Sequence, residues 1–352
     1  MPDLIQMQAD AQEFWQQDGP LLVIQPLVGI GDMVWHKPWI DQLIETQDVY
    51  LVTKMASHPQ VLFSTTLPKQ KIIAFDRNIR GVKGRHDGPL GLWRLARDFK
   101  KTGARRALFL HHSSSLRLAL SLAGIKHVAG FGLGKNKGLT GAQLSRDDKQ
   151  IHATQRMEKF WDINGWPQPE KGWHIDVDVE SKRHGLARLK DDKIVPTDLL
   201  IFGIGAMHED RCWPANRFAD VIADLQRTRP DLVVGLMGGP AERPIAEEIQ
   251  THLRQNGHAP AYEIFTNLAE AIAILSTAKG YVGNDTSLLN IAAVLGRPSL
   301  GLFSQSPPLT YVPTLHHLDV IKKQDYGQPG IIRQITSDDV REGIEALWPH
   351  HS

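Results

Sequence analysis

The segment LLVIQPLVGIGD, residues 21–32, decides the fold. Four consecutive apolar residues, Leu21 to Ile24, are typical of a strand that is buried on both faces of a parallel sheet. The glycines that follow favour a tight loop, and the residues from Lys37 to Thr46 have the composition of a helix. A strand, a glycine-rich loop and a helix in this order predict a parallel α/β sheet.

The same alternation continues along the chain and later restarts. Further strands are predicted at four apolar runs: Val49 to Val52, Ile72 to Phe75, Ala107 to Leu110 and Leu199 to Phe202. The last of these runs follows a stretch rich in proline and charge, 166–197, which reads as a connection between domains. We therefore predict an α/β protein with two Rossmann-like domains facing a central cleft. The predicted bounds are 1–175, a linker at 176–197, and 198–352, with the last helix a candidate to pack back on the first domain.

Composition excludes several classes of protein. The chain has 352 residues with 40 basic and 39 acidic side chains, so no global field favours nucleic acid as a partner. Its single cysteine, Cys212, rules out an internal disulfide and fits a reducing compartment. No apolar run has the length of a membrane span, and the first twenty residues lack the apolar core of a signal peptide. A cytoplasmic location is expected, and peripheral contact with a membrane stays open.

Two strand-to-helix loops carry candidate binding residues. In the first loop, Gly31 and Asp32 follow the strand at Leu21, where backbone N–H groups and a carboxylate can meet a ligand. The alternative is that Asp32 only caps the helix. In the second loop, Gly205 precedes Arg211, whose guanidinium can grip a pyrophosphate through a bidentate pair of hydrogen bonds. The alternative is an ordinary surface arginine. Cys212, beside Arg211, is a candidate for a lowered pKa.

Two further loops repeat this pattern. Gly239 and Glu242 lie in Gly-Gly-Pro-Ala-Glu. The carboxylate of Glu242 can accept hydrogen bonds from ribose hydroxyls, or it can simply interact with the helix dipole. Asp285, Thr286 and Ser287 lie where a helix begins, so they are candidates for a phosphate cradle or simply for capping. No His/Cys spacing suits a metal site, and no metal or cofactor is expected.

The order Gly-x-Gly-Asp, Arg-x-Trp-Pro, Gly-Gly-Pro-x-Glu and Gly-Asn-Asp-Thr resembles glycosyltransferase family 9, the ADP-heptose:lipopolysaccharide heptosyltransferases. The resemblance implies a GT-B fold and an inverting, metal-independent transfer from a nucleotide-sugar donor. It assigns Asp32 as the base, Arg211 to the donor phosphate, Glu242 to the ribose, and Asp285 with Thr286 to the phosphates and donor sugar.

Three positions depart from the pattern of that family. Ser287 replaces a glycine, Asn290 takes the place of a histidine, and Gln25 takes the place of an arginine at the end of the first strand. Because histidine can carry a charge that asparagine cannot, contacts to the donor sugar or phosphate are expected to differ.

The expected reaction is transfer of heptose or a related sugar to lipopolysaccharide or another cell-envelope or exopolysaccharide acceptor. The N-terminal domain would bind the acceptor and the C-terminal domain the nucleotide sugar. The alternatives are a nucleotide-sugar epimerase or hydrolase, and a nucleotide-sugar-binding protein without turnover.

A basic run between Arg77 and Arg106 is the candidate for an anionic acceptor, with Arg80, Lys83 and Arg85 as its predicted contacts. The alternatives for the run are an acidic membrane surface, at the inner membrane, or a solvated helix and loop.

Overall fold

In the computed structural model, the described residues are 13–77, 81–111, 113–134, 138–206 and 209–349. The chain divides into two compact units, Met1–Asp176 and Val177–Ser352. Each unit contains one sheet whose strand pairs are all parallel. Within the described ranges, no helix is long and apolar enough to span a membrane.

The first unit is built on a five-stranded sheet with the order β3-β2-β1-β4-β5. Its strands are β1 (Leu21–Gln25), β2 (Val49–Thr53), β3 (Ile72–Ala74), β4 (Arg106–Phe109) and β5 (His127–Gly130). All five residues of β1 are buried, as expected for a central strand with helices on both faces. Its register pairs Leu21 with Val49 on one side and with Arg106 on the other.

In the part of this unit that the structure describes, the helices around the sheet are α1 (Ile30–Thr46), α2 (Pro59–Leu62), α3 (Gly88–Lys101), α4 (Ser114–Leu122) and α5 (Ala153–Ile163). Helices α3 and α4 share one core with the sheet, in which Phe99 and Leu116 pack with Leu22. Helix α1 packs against α5, and Trp39 of α1 contacts Trp161 of α5 with ring centroids 6.4 Å apart.

Helix α1 begins earlier than the sequence predicts. The sequence pattern places its start near Lys37, whereas the helix begins at Ile30, with Gly29 as its N-cap residue. Gly29 and Gly31 indicate a loop, but Gly29 is the N-cap residue and Gly31 is already the second residue of the helix. Further along the helix, Lys37 and Asp41 are both buried and form an ion pair of 2.6 Å one turn apart. Asp32 therefore lies in the first turn of the helix and not at the tip of a loop.

The second unit is built on a six-stranded sheet with the order β11-β10-β9-β6-β7-β8. Its strands are β6 (Leu199–Gly203), β7 (Val233–Gly238), β8 (Tyr262–Phe265), β9 (Gly280–Asn284), β10 (Ser299–Leu302) and β11 (Leu315–His317). Its helices are α6 (Val179–Asp191), α7 (Ala215–Thr228), α8 (Arg243–Gln255), α9 (Leu268–Leu275), α10 (Ser287–Val294) and α11 (Ser337–Leu347).

Two terminal segments of the second unit bear on the predicted domain bounds. The predicted linker, 176–197, contains α6, which packs on α9, with Gly185 of α6 close to Ala273. The last helix, α11, buries Val340 and Ile344 in the core of the second unit and packs on α7. Both segments are thus integral to the second unit, and the chain divides after Asp176.

Candidate active site

The candidate residues lie at the carboxyl edges of the two sheets. In a parallel sheet all strands end at the same edge, and ligands of open α/β sheets bind there. Gly31 and Asp32 follow β1 in the first unit, whereas Gly205, Arg211, Gly239, Glu242 and the segment from Asp285 to Ser287 follow β6, β7 and β9 in the second.

Asp32 is the third residue of α1, and its carboxylate folds back on the start of the helix. It accepts a hydrogen bond from the backbone of Gly29, the N-cap residue. A Cβ at position 29 would lie 2.3 Å from Asp32 Oδ2, so only glycine leaves room for this arrangement. Asp32 thus contributes to the helix end, but Gly29, and not Asp32, is the cap.

The charge of Asp32 is balanced by Arg156 of α5. Burial raises the pKa of the Asp32 carboxyl group, and the positive charge of Arg156 opposes that rise. In turn, burial lowers the pKa of Arg156, and Asp32 opposes that fall. Helices α1 and α5 pack together, so the pairing of these two charges is a consequence of the fold. Asp32 is a carboxylate whose basicity is increased by burial and which a fixed cation helps to keep ionised.

Two histidines near Asp32 are neutral at physiological pH. Burial lowers the pKa of His36 to about 3 and that of His152 to about 4, and the charge of Arg156 adds to both shifts. His152 also contacts Trp35 of α1, with ring centroids 4.5 Å apart. The positive charge that acts on Asp32 therefore comes from Arg156 and not from these imidazoles.

Gln25, one of the three departures, lies buried at the carboxyl end of β1. Its Nε2 lies 3.4 Å from His36 Nδ1, and its Oε1 accepts hydrogen bonds from Thr53 Oγ1 at 3.3 Å and from the backbone N–H of Leu27 at 3.2 Å. A neutral amide with these partners holds the loop after β1 without adding charge beside Asp32.

In the second unit, Asn284 joins two of the predicted loops. This residue ends β9 and is fully buried. Its Oδ1 accepts the backbone N–H of Trp213 at 3.0 Å, and its Nδ2 donates to the carbonyls of Ile204 and Gly205, each at 3.1 Å. The loop that carries Arg211 is therefore tied to the strand that leads into Asp285.

Glu242 links the third loop, which follows β7, to the loops that Asn284 joins. Its Oε2 accepts the backbone N–H of Gly239 at 2.7 Å and so caps the short 3-10 helix Pro240–Glu242. A Cβ at position 205 would lie 2.5 Å from Glu242 Cγ, so Gly205 makes room for the Glu242 side chain. Glu242 thus caps this short helix, a role that the sequence did not indicate, and it also lies against the Gly205 loop.

Asp285 and Arg211 form a second pair of opposite charges. Burial raises the pKa of Asp285 to about 6, and Arg211 opposes that rise. Arg211 is half-buried at the end of the 3-10 helix Glu209–Arg211. Thr286 is the N-cap residue of α10, and Ser287 is its first residue, so the positive end of this helix lies beside the pair. A cation and a helix N-terminus at one strand end can receive a diphosphate.

Asn290, another of the three positions that depart from the family pattern, forms hydrogen bonds through both the nitrogen and the oxygen of its side-chain amide. Its Nδ2 donates to the carbonyl of Thr286 at 2.9 Å, and its Oδ1 accepts the hydroxyl of Tyr311 at 2.6 Å. The side chain is buried within α10 and supports the N-cap residue. Asn290 thus contributes to the start of α10 through neutral hydrogen bonds.

Two of the three predicted acceptor contacts, Lys83 and Arg85, belong to the described residues. Arg80 lies outside the described residues, and Lys83 is exposed. Arg85 is exposed and forms an ion pair of 3.0 Å with Asp98. Arg106, the last residue of the basic run, is buried and donates to the carbonyl of Trp15 at 2.9 Å, so it belongs to the core of the first unit and not to a basic surface.

The sequence offers Cys212 as a candidate for a lowered pKa. Burial, together with the nearby carboxylates, raises the pKa of Cys212, so the lowered pKa that its arginine neighbour suggested is wrong.

Among the described residues, no group of three His, Cys, Asp or Glu side chains is arranged to hold a metal ion. The expectation of a metal-independent reaction stays a prediction.

Arg156, His36, His152 and Asn284 were not singled out by the sequence patterns. The available signal was the spacing of His152 and Arg156, which lie four residues apart and therefore on the same side of a helix. Asn284 belongs to the Gly-Asn-Asp-Thr motif, but its role depends on partners about 70 to 80 residues away in the sequence.

The chain is similar in sequence to known glycosyltransferases. The profile of glycosyltransferase family 9 (heptosyltransferase) matches residues 92–336. Lipooligosaccharide heptosyltransferase 2 of Haemophilus influenzae is 30% identical over 105 residues, which are 29% of this chain and 30% of that protein. Lipopolysaccharide heptosyltransferase 2 of Salmonella typhimurium is 28% identical over 143 residues, 40% of this chain and 37% of that protein. The matched segments thus span about a third of the length of these curated relatives.

Solved structures are similar over nearly the whole chain. The glycosyl transferase family 9 protein of Veillonella parvula has a TM-score of 0.75 at 17% identity, covering 94% of this chain and 97% of that one. Escherichia coli heptosyltransferase WaaC, solved with ADP-2-deoxy-2-fluoro heptose, has a TM-score of 0.65 at 18% identity, covering 93% and 99%. At these identities the likeness concerns the fold, and it confirms the prediction of a GT-B type α/β protein with two parallel sheets.

Proposed function

The chain belongs to glycosyltransferase family 9, and from this premise we propose that it transfers heptose or a related sugar from a nucleotide-sugar donor to a lipopolysaccharide or other cell-envelope or exopolysaccharide acceptor. The observation that carries the proposal is the convergence of three loops in the second unit. Asn284 and Glu242 bring the Gly205, Gly239 and Asp285 loops together, with Arg211 beside them. The ADP-2-deoxy-2-fluoro heptose with which WaaC was solved supports the choice of donor class.

The proposed chemistry is a single displacement with inversion. Asp32 removes the proton of the acceptor hydroxyl as that oxygen attacks the anomeric carbon, and the bond between this carbon and the nucleoside diphosphate breaks. Arg211 and the N-terminus of α10 stabilise the charge that develops on the departing phosphate. Glu242 accepts hydrogen bonds from ribose, and the backbone at Gly205 and Gly239 allows the donor to approach closely. Gly31, Thr286 and Ser287 complete the proposed donor contacts.

The acceptor is proposed to bind to the first unit. Its anionic groups would meet Arg80, Lys83 and Arg85, and the exposure of Lys83 and Arg85 supports this role. We also propose peripheral contact with the inner membrane, where a glycolipid acceptor would be presented.

The function is tested by ligand binding followed by product analysis. ADP-, GDP- and UDP-sugars are compared for their effect on thermal unfolding, where the true donor at a hundredfold excess over its Kd stabilises by about 2.7 kcal/mol. The selected donor is then incubated with lipopolysaccharide core acceptors. Acceptor-dependent transfer supports the proposal. Altered or free sugar without an acceptor would indicate an epimerase or hydrolase, and binding without any product would indicate a protein that has lost turnover.

Activity is expected to be independent of divalent metal ions. Arg211 and the N-terminus of α10 supply the positive charge that a metal ion supplies in other transferases. The measurement is the transfer rate after dialysis against EDTA, with and without added Mg²⁺ or Mn²⁺. Loss of activity in EDTA that is restored by either ion would contradict this expectation.

Replacing Arg156 by glutamine is expected to move the acidic limb of the pH–rate profile to higher pH. A base must be ionised to act, and Arg156 favours the ionised form of Asp32, so its removal raises the pKa of that carboxyl group. The profile of kcat/KM is the measurement. Arg156→Lys should retain most of the original profile, and Arg146→Gln, at an exposed position of the same unit, should leave it unchanged. If the acidic limb of the Arg156→Gln profile did not shift, Arg156 would not influence the pKa of the base.

A further inference from the structure

The outward side of helix α3 combines two kinds of exposed residue. Gly91, Leu95 and Phe99 are buried against the sheet. The opposite side is exposed and carries Leu90, Trp93, Arg94, Arg97, Lys100 and Lys101. At about 100° per residue these six side chains fall within an arc of about 120°. The helix therefore presents one continuous face on which apolar and basic side chains are mixed.

Large apolar side chains are concentrated on this side of the first unit. Leu90 is 72% exposed and Trp93 is 57% exposed, and Val82 in the preceding loop is 72% exposed. Helix α4 packs beside α3 on the same face of the sheet and exposes Leu118 and Leu122 by 51% and 56%. Five of the nine large hydrophobic residues that are exposed in the described ranges thus lie between 82 and 122. Single exposed hydrophobic residues are ordinary, but such a concentration marks an interaction surface.

The acidic residues near this surface are turned inward. Asp98 exposes only 15% of its side chain and pairs with Arg85. Asp87 exposes 16% of its side chain, accepts the backbone N–H of Gly84 at 2.7 Å and pairs with Arg77. These are the two acids of the described segment 81–111, so the charges left on its outer side are positive.

We propose that the outer face of α3, together with Leu118 and Leu122 of α4, docks on an anionic lipid bilayer. We call it the docking face. Tryptophan and leucine side chains insert at the headgroup boundary, and interleaved lysine and arginine side chains attract anionic lipids. The guanidinium of Arg97 lies 5.2 Å from the centroid of the Trp93 ring, so a basic and an apolar side chain of this face form a cation–π contact. The apolar side chains project from a helix and do not line a groove, which suits a lipid surface better than a peptide.

The docking face deepens the membrane contact of the proposed function but can be tested without sugar transfer. The full chain is sedimented with vesicles of phosphatidylethanolamine and phosphatidylglycerol, and with phosphatidylcholine vesicles as the neutral reference. Leu90→Ser/Trp93→Ser removes the apolar side chains, and Arg94→Gln/Arg97→Gln/Lys100→Gln removes the charges. Val179→Ser/Val195→Ser is the matched control, because these valines of the second unit are 85% and 53% exposed.

We expect binding to the anionic vesicles that weakens with salt. The apolar double variant should lose about tenfold or more in affinity. The charge variant should lose about fivefold per residue, the factor that corresponds to about 1 kcal/mol for each basic side chain at the surface. The control should match the original protein. Because all these positions are exposed, thermal unfolding should be unchanged, and a variant that unfolds early is replaced by the single Trp93→Ser.

Three results would overturn the docking face: no preference for anionic vesicles, equal losses in the control, or binding only when the vesicles carry an acceptor glycolipid. Transfer to a soluble acceptor separates the two proposals. Its survival in variants that no longer bind vesicles would leave the proposed function intact, and its absence in a protein that still binds vesicles would contradict the function alone.

Discussion

Replacement of Asp32 by asparagine is expected to lower the transfer rate by about 10²–10⁴-fold, the usual cost of losing a general base. Asparagine keeps the shape of the side chain and can still accept a hydrogen bond from the Gly29 backbone, so the start of α1 should persist. It cannot take a proton from the acceptor hydroxyl. The measurement is kcat at saturating donor and acceptor, together with the donor Kd, which should remain nearly unchanged.

Asp339→Asn provides a closely matched control for this variant. Asp339 is likewise the third residue of a helix, α11, and accepts the backbone N–H of its N-cap residue, Thr336, at 2.7 Å. It therefore accepts the same kind of hydrogen bond from an N-cap residue as Asp32 does, but it lies outside the proposed site. If Asp339→Asn slowed transfer as much as Asp32→Asn, or if the folded Asp32→Asn protein turned over at the original rate, Asp32 would not be the base.

The two sheets were predictable because their central strands are continuous apolar runs. Leu21–Gln25 and Leu199–Gly203 are buried along their whole length, and such strands are visible in one sequence without any knowledge of their partners. The edge strands β5, β8 and β11 were missed, because each has only three or four residues and includes glycine, histidine or glutamate among them. The pattern that identified each central strand also placed the loop that follows it.

The start of α1 was mispredicted because Gly29 and Gly31 indicate a loop, whereas Gly31 is already the second residue of the helix. Sequence patterns assign lysine and aspartate to the surface, whereas Lys37 and Asp41 satisfy each other inside the protein at 2.6 Å. Pro38 added to the error, since proline is common in the first turn of a helix and is rare in the interior, where it lies here. Whether a charged residue is buried depends on its partner, and a single sequence shows the partner only when it lies nearby.

The environment of Asp32 could not be predicted, because it depends on contacts over long sequence distances. Arg156 lies more than 100 residues after Asp32, and its charge acts on Asp32 because α5 packs on α1. In the same way, Asn284 bonds to loops about 70 to 80 residues earlier. Sequence motifs thus indicated the candidate side chains, while the groups that set their charge and position required the fold.

Replacement of Arg211 by alanine is expected to weaken binding of the nucleoside diphosphate by about 1.5–3 kcal/mol, or roughly 10- to 150-fold, the range for a hydrogen bond to a charged group. The nucleoside should bind as before, because it lacks the phosphates that the guanidinium would meet. Calorimetry with the diphosphate and with the matching nucleoside measures the difference.

Glu242→Gln tests the same site from the other end of the donor. Glutamine can still accept the Gly239 backbone N–H, so the 3-10 helix should persist, but its neutral amide binds ribose hydroxyls less strongly than a carboxylate. Because the ribose is common to both ligands, this variant should weaken the binding of the diphosphate and of the nucleoside equally.

The control for Arg211→Ala is Arg211→Lys, which should bind the diphosphate better than the alanine variant, since a point charge retains part of the attraction. Equal losses for both ligands in Arg211→Ala would place Arg211 away from the phosphates and leave α10 alone to receive them.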